Sequence, residues 1–361
     1  MPLKSIAYFI SSHGFGHAAR AAAVMQGISQ IDACVQFEIF TTVPSWFFRD
    51  SLSASFKCHR LLTDFGLAQK TPFQSDFENT LSRLNEFYPV TPSRLAEFSQ
   101  TIRRLKCKII ICDIAPLGIL VAKEAGIPSV LVENFTWDWI YRQYATVDNS
   151  INRHINYLKP IFESADYHIQ TEPVCSRSSS DLVTAPVSRK PRLATDQIRQ
   201  RLGLLPAGKM VLITTGGIPQ SYDFLETLRK LRDIKFVMPG AGPEIKIYDN
   251  LVILPHHSEF YHPDLVNACD AIIGKVGYST LAEVYHAGIP FGYVARSNYN
   301  ESGPMVNFIE QHMPGMAVPE AEFGDGSWIS KIEDLLRLPR AHRNSANGAE
   351  QTGRFILSLK I

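Results

Sequence analysis

The sequence predicts an α/β protein of two doubly wound, Rossmann-like halves, and three observations carry that expectation. Short β-branched apolar runs alternate with amphipathic stretches, the pattern of strand–helix–strand units around a parallel sheet. The pattern runs twice, broken at Pro186–Thr195 (PVSRKPRLAT), a polar stretch rich in structure breakers. The 361 residues exceed what one ordinary core accommodates and suit about two domains. Boundaries of 1–188 and 189–361 follow, with the last helix free to return to the first half.

Taken in order, Ser5–Ile10 reads as a strand, and His17 to about Ser29 as the helix behind it. Val35–Thr41 and Lys108–Cys112 repeat the strand signal. Ala115–Ala125 reads as a helix stopped by Gly126 and Pro128, and Ser129–Glu133 as the next strand. The second half offers strands at Met210–Thr214, Lys235–Met238, Leu251–Leu254, Ala271–Ile273 and Phe291–Val294, with helix-like segments between most of them. The halves echo each other. CDIAPLGILVAKEAGIPSVLVE (112–133) and CDAIIGKVGYSTLAEVYHAGIPFGYVA (269–295) both place AGIP between a helix and a strand. Common loop chemistry, with Gly ending the helix and Pro opening the strand, explains this as well as an internal duplication does. Ligands of doubly wound sheets sit at the carboxyl ends of strands, so two facing halves imply a cleft.

Composition narrows the function classes. At 45% hydrophobic, the chain has ample material for a core, which excludes general disorder. Lys and Arg number 36 against 35 Asp and Glu, so no broad basic field attracts nucleic acid or an anionic membrane. The six cysteines, at 34, 58, 107, 112, 175 and 269, form no CxxC. That spacing suits a reducing compartment and predicts a cytoplasmic protein without a disulfide or zinc framework. The opening MPLKSIAYFISS is too short for a secretory apolar region, and no run reaches transmembrane length. Trp46, Phe47 and Phe48 make the first half rich in aromatics, which would suit a lipid-linked acceptor or peripheral membrane contact, although scattered surface apolar residues are normal.

Two loops carry the chemistry. Ser11-Ser12-His13-Gly14-Phe15-Gly16-His17 follows the first strand directly. Gly14 and Gly16 permit a tight turn and close backbone approach to a ligand, and the helix start offers N–H groups to an anion or polar substrate. Histidine ordinarily titrates near neutral pH, which suits His17 to taking a proton. The spacing is not that of a dinucleotide loop. A metal role for His13 and His17 lacks further ligands nearby, and a plain glycine turn with incidental histidines is the bland alternative.

The other loop is Gly274-Lys275-Val276-Gly277-Tyr278-Ser279-Thr280, with Glu283 one turn on. Its glycines open the turn, and Ser279 and Thr280 bring hydroxyls and N–H groups to a helix start, a ready diphosphate cradle. A carboxylate at Glu283 is placed to accept two ribose hydroxyls. The bland alternative is a capping box between Ser279 or Thr280 and Glu283. P-loop chemistry is disfavoured because GxxxxGK[ST] is absent. Thr214-Thr215-Gly216-Gly217, Pro239–Gly242, Pro255-His256-His257 and Asn298–Glu301 each follow an expected strand end, where ligand loops belong. Trp137-Asp138-Trp139-Ile140-Tyr141 reads as core or as a platform for a sugar ring.

Together these motifs resemble the GT-B glycosyltransferases, in particular the branch of the peptidoglycan N-acetylglucosaminyltransferase. SSHGFGHAAR, ENFTWDWIY and IIGKVGYSTLAEVYHAGIPFGYVARSNYNE are also similar to the glycosyltransferase-like N-terminal part of plant L-arabinokinase. The resemblance implies a GT-B architecture and metal-independent, inverting transfer of a hexosyl or N-acetylhexosaminyl group from a nucleoside diphosphate sugar, expected to be uridine-linked. The sugar donor is then a substrate and no cofactor is implied. His17 matches the general base, and His13, Gly14 and Gly16 the acceptor-side loop. The donor site would comprise Thr215, Gly216, Gly217, His256, Lys275, Gly277, Tyr278, Ser279, Thr280, Glu283, Asn298 and Glu301, with Glu283 on the ribose. At Asn298 and Glu301 the family's Gln-containing pair is absent, so the donor sugar does not carry over. The acceptor is unassigned: a small molecule, a glycan or a lipid-linked group. Rival readings are a nucleotide-sugar epimerase or hydrolase, and a noncatalytic nucleotide- or carbohydrate-binding module.

Overall fold

The computed structural model describes residues 4–204, 207–216, 222–343 and 345–359. The chain forms two compact units. The first takes the chain up to Ala68, Ser75–Ser188 and everything from Ala346 on; the second takes Gln69–Gln74 and Arg189–Ser345. Sequence patterning gives no sign of the short excursion at 69–74. It is held by Phe73, whose ring lies 5.9 Å from that of Phe323 in the second unit's core.

The first unit is built on seven described strands: β1 (Lys4–Ile10), β2 (Val35–Thr41), β3 (Phe56–Arg60), β4 (Ile110–Asp113), β5 (Ser129–Glu133), β6 (Tyr167–Thr171) and β7 (Leu182–Thr184). All pair in parallel in the order β3-β2-β1-β4-β5-β6-β7. The order reverses between β1 and β4, the switch point where such sheets bind ligands. Central strands are buried on both faces, as a parallel sheet covered by helices requires: IICD in β4 and SVLVE in β5 expose nothing. Helix α1 (Phe15–Ile31) is likewise buried along most of its length, from His17 through Met25.

Helix α6 (Gly348–Ser358), the last of the chain, covers α1. A Cβ on Gly27 would stand 2.5 Å from the Ala349 carbonyl oxygen, so the helices meet backbone to backbone at a position only glycine allows. The Asn347 side chain caps α6 by accepting from the Ala349 N–H and donates to the Ser188 carbonyl at 2.9 Å.

The second unit repeats the plan with β8 (Lys209–Thr214), β9 (Ile234–Pro239), β10 (Lys246–Tyr248), β11 (Leu251–Leu254), β12 (Ala271–Lys275), β13 (Phe291–Val294) and β14 (Gly315–Ala317). Their order is β10-β11-β9-β8-β12-β13-β14, parallel except for the β10–β11 edge pair. Its core gathers Val211, Phe236, Ile273, Phe323 and Trp328. Here the order reverses between β8 and β12.

The two AGIP segments occupy equivalent slots. Helix α2 (Pro116–Ala125) joins β4 to β5, α3 (Asn152–Glu163) precedes β6, α4 (His262–Ala268) precedes β12, and α5 (Tyr278–Ala287) joins β12 to β13. Helices α2 and α5 each end on a left-handed glycine, Gly126 at φ 71° and Gly288 at φ 67°, before a proline opens the next strand.

Candidate functional site

In the first unit, the turn after β1 places His17 as the third residue of α1, beside the carboxyl end of β4. Ile10 and Asp113 are register partners, so the imidazole and the Asp113 carboxylate meet at the switch point. Nδ1 of His17 lies 2.9 Å from Asp113 Oδ1. Arg20, one helical turn on, donates through Nε to Oδ2 at 2.9 Å and through Nη2 to Oδ1 at 2.6 Å. Its Nη1 donates to Asn134 Oδ1 at 2.5 Å. Arg20 and Asp113 are fully buried, and each is the other's compensation for lost water. Burial alone would raise the Asp113 carboxyl, but the Arg20 guanidinium and then His17 hold it below its ordinary value. An ionised Asp113 fixes the imidazole proton on Nδ1 and leaves Nε2 as an acceptor. Nε2 has no hydrogen-bond partner among the described residues.

The surroundings of this pair are aromatic. Trp137 and Phe135 each lie 6.0 Å from the His17 ring, and Trp137 stands edge-on to His13 at 5.2 Å. Trp137 is fully buried, which decides for core over a sugar platform. Its indole N–H donates to Asp64 Oδ2 at 2.7 Å. Burial pushes the Asp64 carboxyl up to about 6 despite that bond. Phe47 and Phe48 are also buried. Of the two motif glycines only Gly14 takes the left-handed conformation, at φ 73°, as the residue before α1. Gly16 is an ordinary helical residue, so the turn rests on Gly14 alone. Among the described residues no three His, Cys, Asp or Glu side chains converge as a metal-ligand set.

In the second unit, Lys275 ends β12 and α5 begins three residues later. Gly274 is register partner to Thr214, and a Cβ on it would stand 1.8 Å from the Thr214 carbonyl oxygen. Gly216, at φ 77°, turns the chain beside the Lys275 ammonium: a Cβ there would touch both Cε and Nζ at 3.4 Å. Thr215 shares a 2.9 Å hydrogen bond with the Tyr222 hydroxyl. Gly217 lies outside the described residues. Burial, followed by the nearby Arg296 charge, brings Lys275 down to about 7, with Glu301 opposing. Arg296 donates to Glu301 at 3.3 Å while its Nε is buried with no partner among the described residues.

The residue before α5 is Gly277, and no side chain caps the helix. This corrects the capping-box alternative: Ser279 and Thr280 lie inside the first turn, and Glu283 turns elsewhere. The N–H groups of Tyr278, Ser279 and Thr280 have no carbonyl ahead of them within the helix. Glu283 is buried and accepts at Oε1 from Arg189, whose Nε is at 3.0 Å and Nη2 at 2.9 Å. Its Oε2 lies 2.8 Å from His262 Nδ1. Burial would raise the Glu283 carboxyl; Arg189 and then His262 overcome that and hold it below the usual range.

The remaining candidates are more dispersed. Asn298 is exposed, whereas Glu301 is buried on Arg296. His256 is exposed and packs its ring on Gly240, which joins the turns after β9 and β11.

Sequence reasoning missed Asp113, Arg20, Arg189 and His262. Asp113 follows an expected strand and Arg20 shares a helix face with His17, which is the signal that marks them.

The two sheets, each reversing in strand order at a switch point, have the architecture of the GT-B glycosyltransferase fold, and solved structures of that class share it. The glycotransferase of kitacinnamycin superposes with a TM-score of 0.65 at 12% identity, covering 98% of both chains. LpCGTa in complex with UDP gives 0.60 at 12%, again covering 98% of each. The MurG of Acinetobacter baumannii gives 0.53 at 14%, covering 99% of this chain and 100% of the other. No family model matches the chain. Among curated proteins, L-arabinokinase of Arabidopsis thaliana is 26% identical over 98% of this chain, which spans only 34% of that protein's length. An uncharacterized glycosyltransferase of Methanopyrus kandleri is 23% identical over 81% of this chain and 88% of its own.

Proposed function

We propose that this protein is an inverting glycosyltransferase that moves a hexosyl or N-acetylhexosaminyl group from a uridine diphosphate sugar to an acceptor hydroxyl. The observation that carries this reading is the His17–Asp113 pair at the switch point of the first sheet, on a fold shared with a structure solved with UDP. His17 Nε2 takes the acceptor proton as the hydroxyl oxygen attacks the anomeric carbon. The carbon–oxygen bond to the diphosphate breaks on the opposite face, and the diphosphate leaves with the electron pair. Asp113 stabilises the imidazolium that forms. Lys275 and the first turn of α5 meet the charge on the leaving group, so the reading invokes no metal. Glu283 takes part in binding the ribose. The acceptor is unassigned.

The test is UDP binding by calorimetry alongside UDP release from a panel of UDP-sugars with mixed acceptors. His17→Ala should cut turnover at least about 100-fold and leave the UDP Kd within about twofold. Asp113→Asn should lose a similar factor in kcat and, by stranding buried Arg20, about 3 kcal/mol of stability. Full turnover by His17→Ala would sink the base assignment. A wild-type protein that binds UDP and never turns over would sink the enzyme reading in favour of a binding module.

A further inference from the structure

Two buried carboxylates of the first unit act on His17, and they differ in what surrounds them. Asp113 bonds to Nδ1 and is paired on both oxygens with Arg20. The guanidinium offsets most of that carboxylate's charge, so the pair orients the ring and lends it little net field. The second carboxylate is Asp64, in the loop after β3 and only 2% exposed. Its position is fixed from several sides. Thr63 Oγ1 donates to the Ile10 carbonyl at 2.8 Å, which ties the loop to the end of β1. The Tyr141 hydroxyl donates to the Phe65 carbonyl at 2.5 Å. A Cβ on Gly66 would stand 2.6 Å from the Trp137 ring and 2.9 Å from His13 Cγ, so the chain passes both side chains where only glycine fits. Trp137, whose ring is 6.0 Å from that of His17, donates its indole N–H to Asp64 Oδ2 at 2.7 Å. Around the carboxylate stand Trp137 and Tyr141 of the short helix Trp137–Tyr141, Ser11 and His13 of the turn after β1, His17 of α1, Asp113 of β4 with its Arg20, and Tyr88. Of the charged groups, His17 favours the ionised form of Asp64 and Asp113 disfavours it.

We propose that Asp64 is a positioning residue for the proton transfer: acting through His17, it supplies the net negative charge that stabilises the imidazolium, while Asp113 sets the tautomer. The proposal deepens the base assignment above and rests on it for its catalytic meaning, but the coupling of the two side chains is visible without a substrate. When Nε2 takes the acceptor proton, positive charge develops near an ionised carboxylate in a low-dielectric, aromatic setting, where attraction over several ångströms is strong. Asp64 is not there for the fold. With its carboxyl at about 6 against an ordinary 3.8, the folded protein holds more protons than the unfolded chain between those values. Stability therefore falls as pH rises through that range, and ionised Asp64 is a net cost above it.

The experiment is NMR titration of the His17 ring and the Asp64 carboxyl, from about pH 4.5 to about 8.5, in the wild type, Asp64→Asn and His17→Gln, with a thermal scan of each. Asparagine keeps an oxygen for the Trp137 N–H and removes the charge. In Asp64→Asn the His17 titration should move about one pH unit lower than in the wild type. In His17→Gln the Asp64 titration should move about as far upward, because linkage makes the two shifts equal. In the UDP-release assay Asp64→Asn should lose about tenfold in kcat and keep the UDP Kd within about twofold. Its melting temperature at about pH 7.5 should be no lower than the wild type's, since a buried charge is gone. Titrations unmoved in both variants would overturn the proposal, and a melting loss alone would make Asp64 a structural residue. A shifted titration beside an unchanged kcat would overturn its part in turnover. If Asp64→Asn does not fold, the Asp64 titration in His17→Gln decides, because it reads the same coupling from the other side. Full turnover by His17→Ala would remove the base reading and leave the titrations standing, so the two failures are distinct.

Discussion

Single side chains in this molecule are governed by what burial does to charge, and Asp113 and Lys275 answer it differently. Asp113 and Arg20 neutralise each other, which keeps the carboxylate ionised and commits the His17 proton to Nδ1. At Lys275 the opposing Glu301 charge is too weak to do the same. Burial and the Arg296 charge bring it down to about 7, so it loses its charge over the range where the other lysines keep theirs. The sign of the effect is fixed. Between about pH 7 and its ordinary value of 10.5 the folded protein holds fewer protons than the unfolded chain. Lys275 thus costs stability increasingly as pH falls toward 7, and by a constant amount below it. For a diphosphate ligand the consequence runs the other way. Lowering pH from about 8.5 to about 6 charges Lys275 and should tighten UDP binding about tenfold, with proton uptake at the upper end. Calorimetry in two buffers of different ionisation enthalpy measures both. In Lys275→Met the pH dependence should flatten; an unaltered profile would remove Lys275 from the diphosphate site.

At the scale of elements, the candidate sites exist because particular strands and helices meet where they do. Gly274 is the clearest case. It sits on β12 against the Thr214 carbonyl at the switch point, with φ at 158° and no room for a Cβ. Gly274→Ala should force β8 and β12 apart and cost about 3 kcal/mol or more; a thermal shift under about 2 °C would show that the strands yield cheaply. The strands that form these edges are legible in the sequence because they are short apolar runs: Val35–Thr41, Ser129–Glu133, Leu251–Leu254 and Phe291–Val294 coincide with strands end to end. Strands at or near the sheet edges are not. Phe56–Arg60 (FKCHR) is largely exposed and Lys246–Tyr248 entirely so; one row of backbone partners, with no apolar face, makes them strands. The site divides the same way. His17 and Lys275 announce themselves in glycine-rich turns. Asp113 is 96 residues from His17, and Arg189 is 94 from Glu283. Only strand order and tertiary packing bring those partners together.

The whole molecule places its last helix in the unit that begins the chain, and this divides stability from chain order. Helix α6 closes over α1 through Gly27 and Gly353 and buries Ala349, Thr352 and Ile356, while residues 189–345 carry their own seven-stranded sheet and core. Removing the chain from Ala346 onward strips α1 of its cover, together with the Asn347 bonds to Ser188. Losing the buried isoleucine, the close helix contact and the cap should cost the first unit about 3 kcal/mol or more. The second unit loses no residue. Hydrogen exchange on the truncated protein should therefore show amides of β1, β4 and β5 exchanging at least about 100-fold faster, with those of β8, β12 and β13 within about threefold of the intact protein. Because His17 rides on α1, turnover should fail in the same variant while UDP binding persists. Uniform loss of protection across both sheets would mean that the second unit does not hold its structure by itself. Unchanged protection of β1 would mean that α6 is dispensable to the sheet that carries the proposed base.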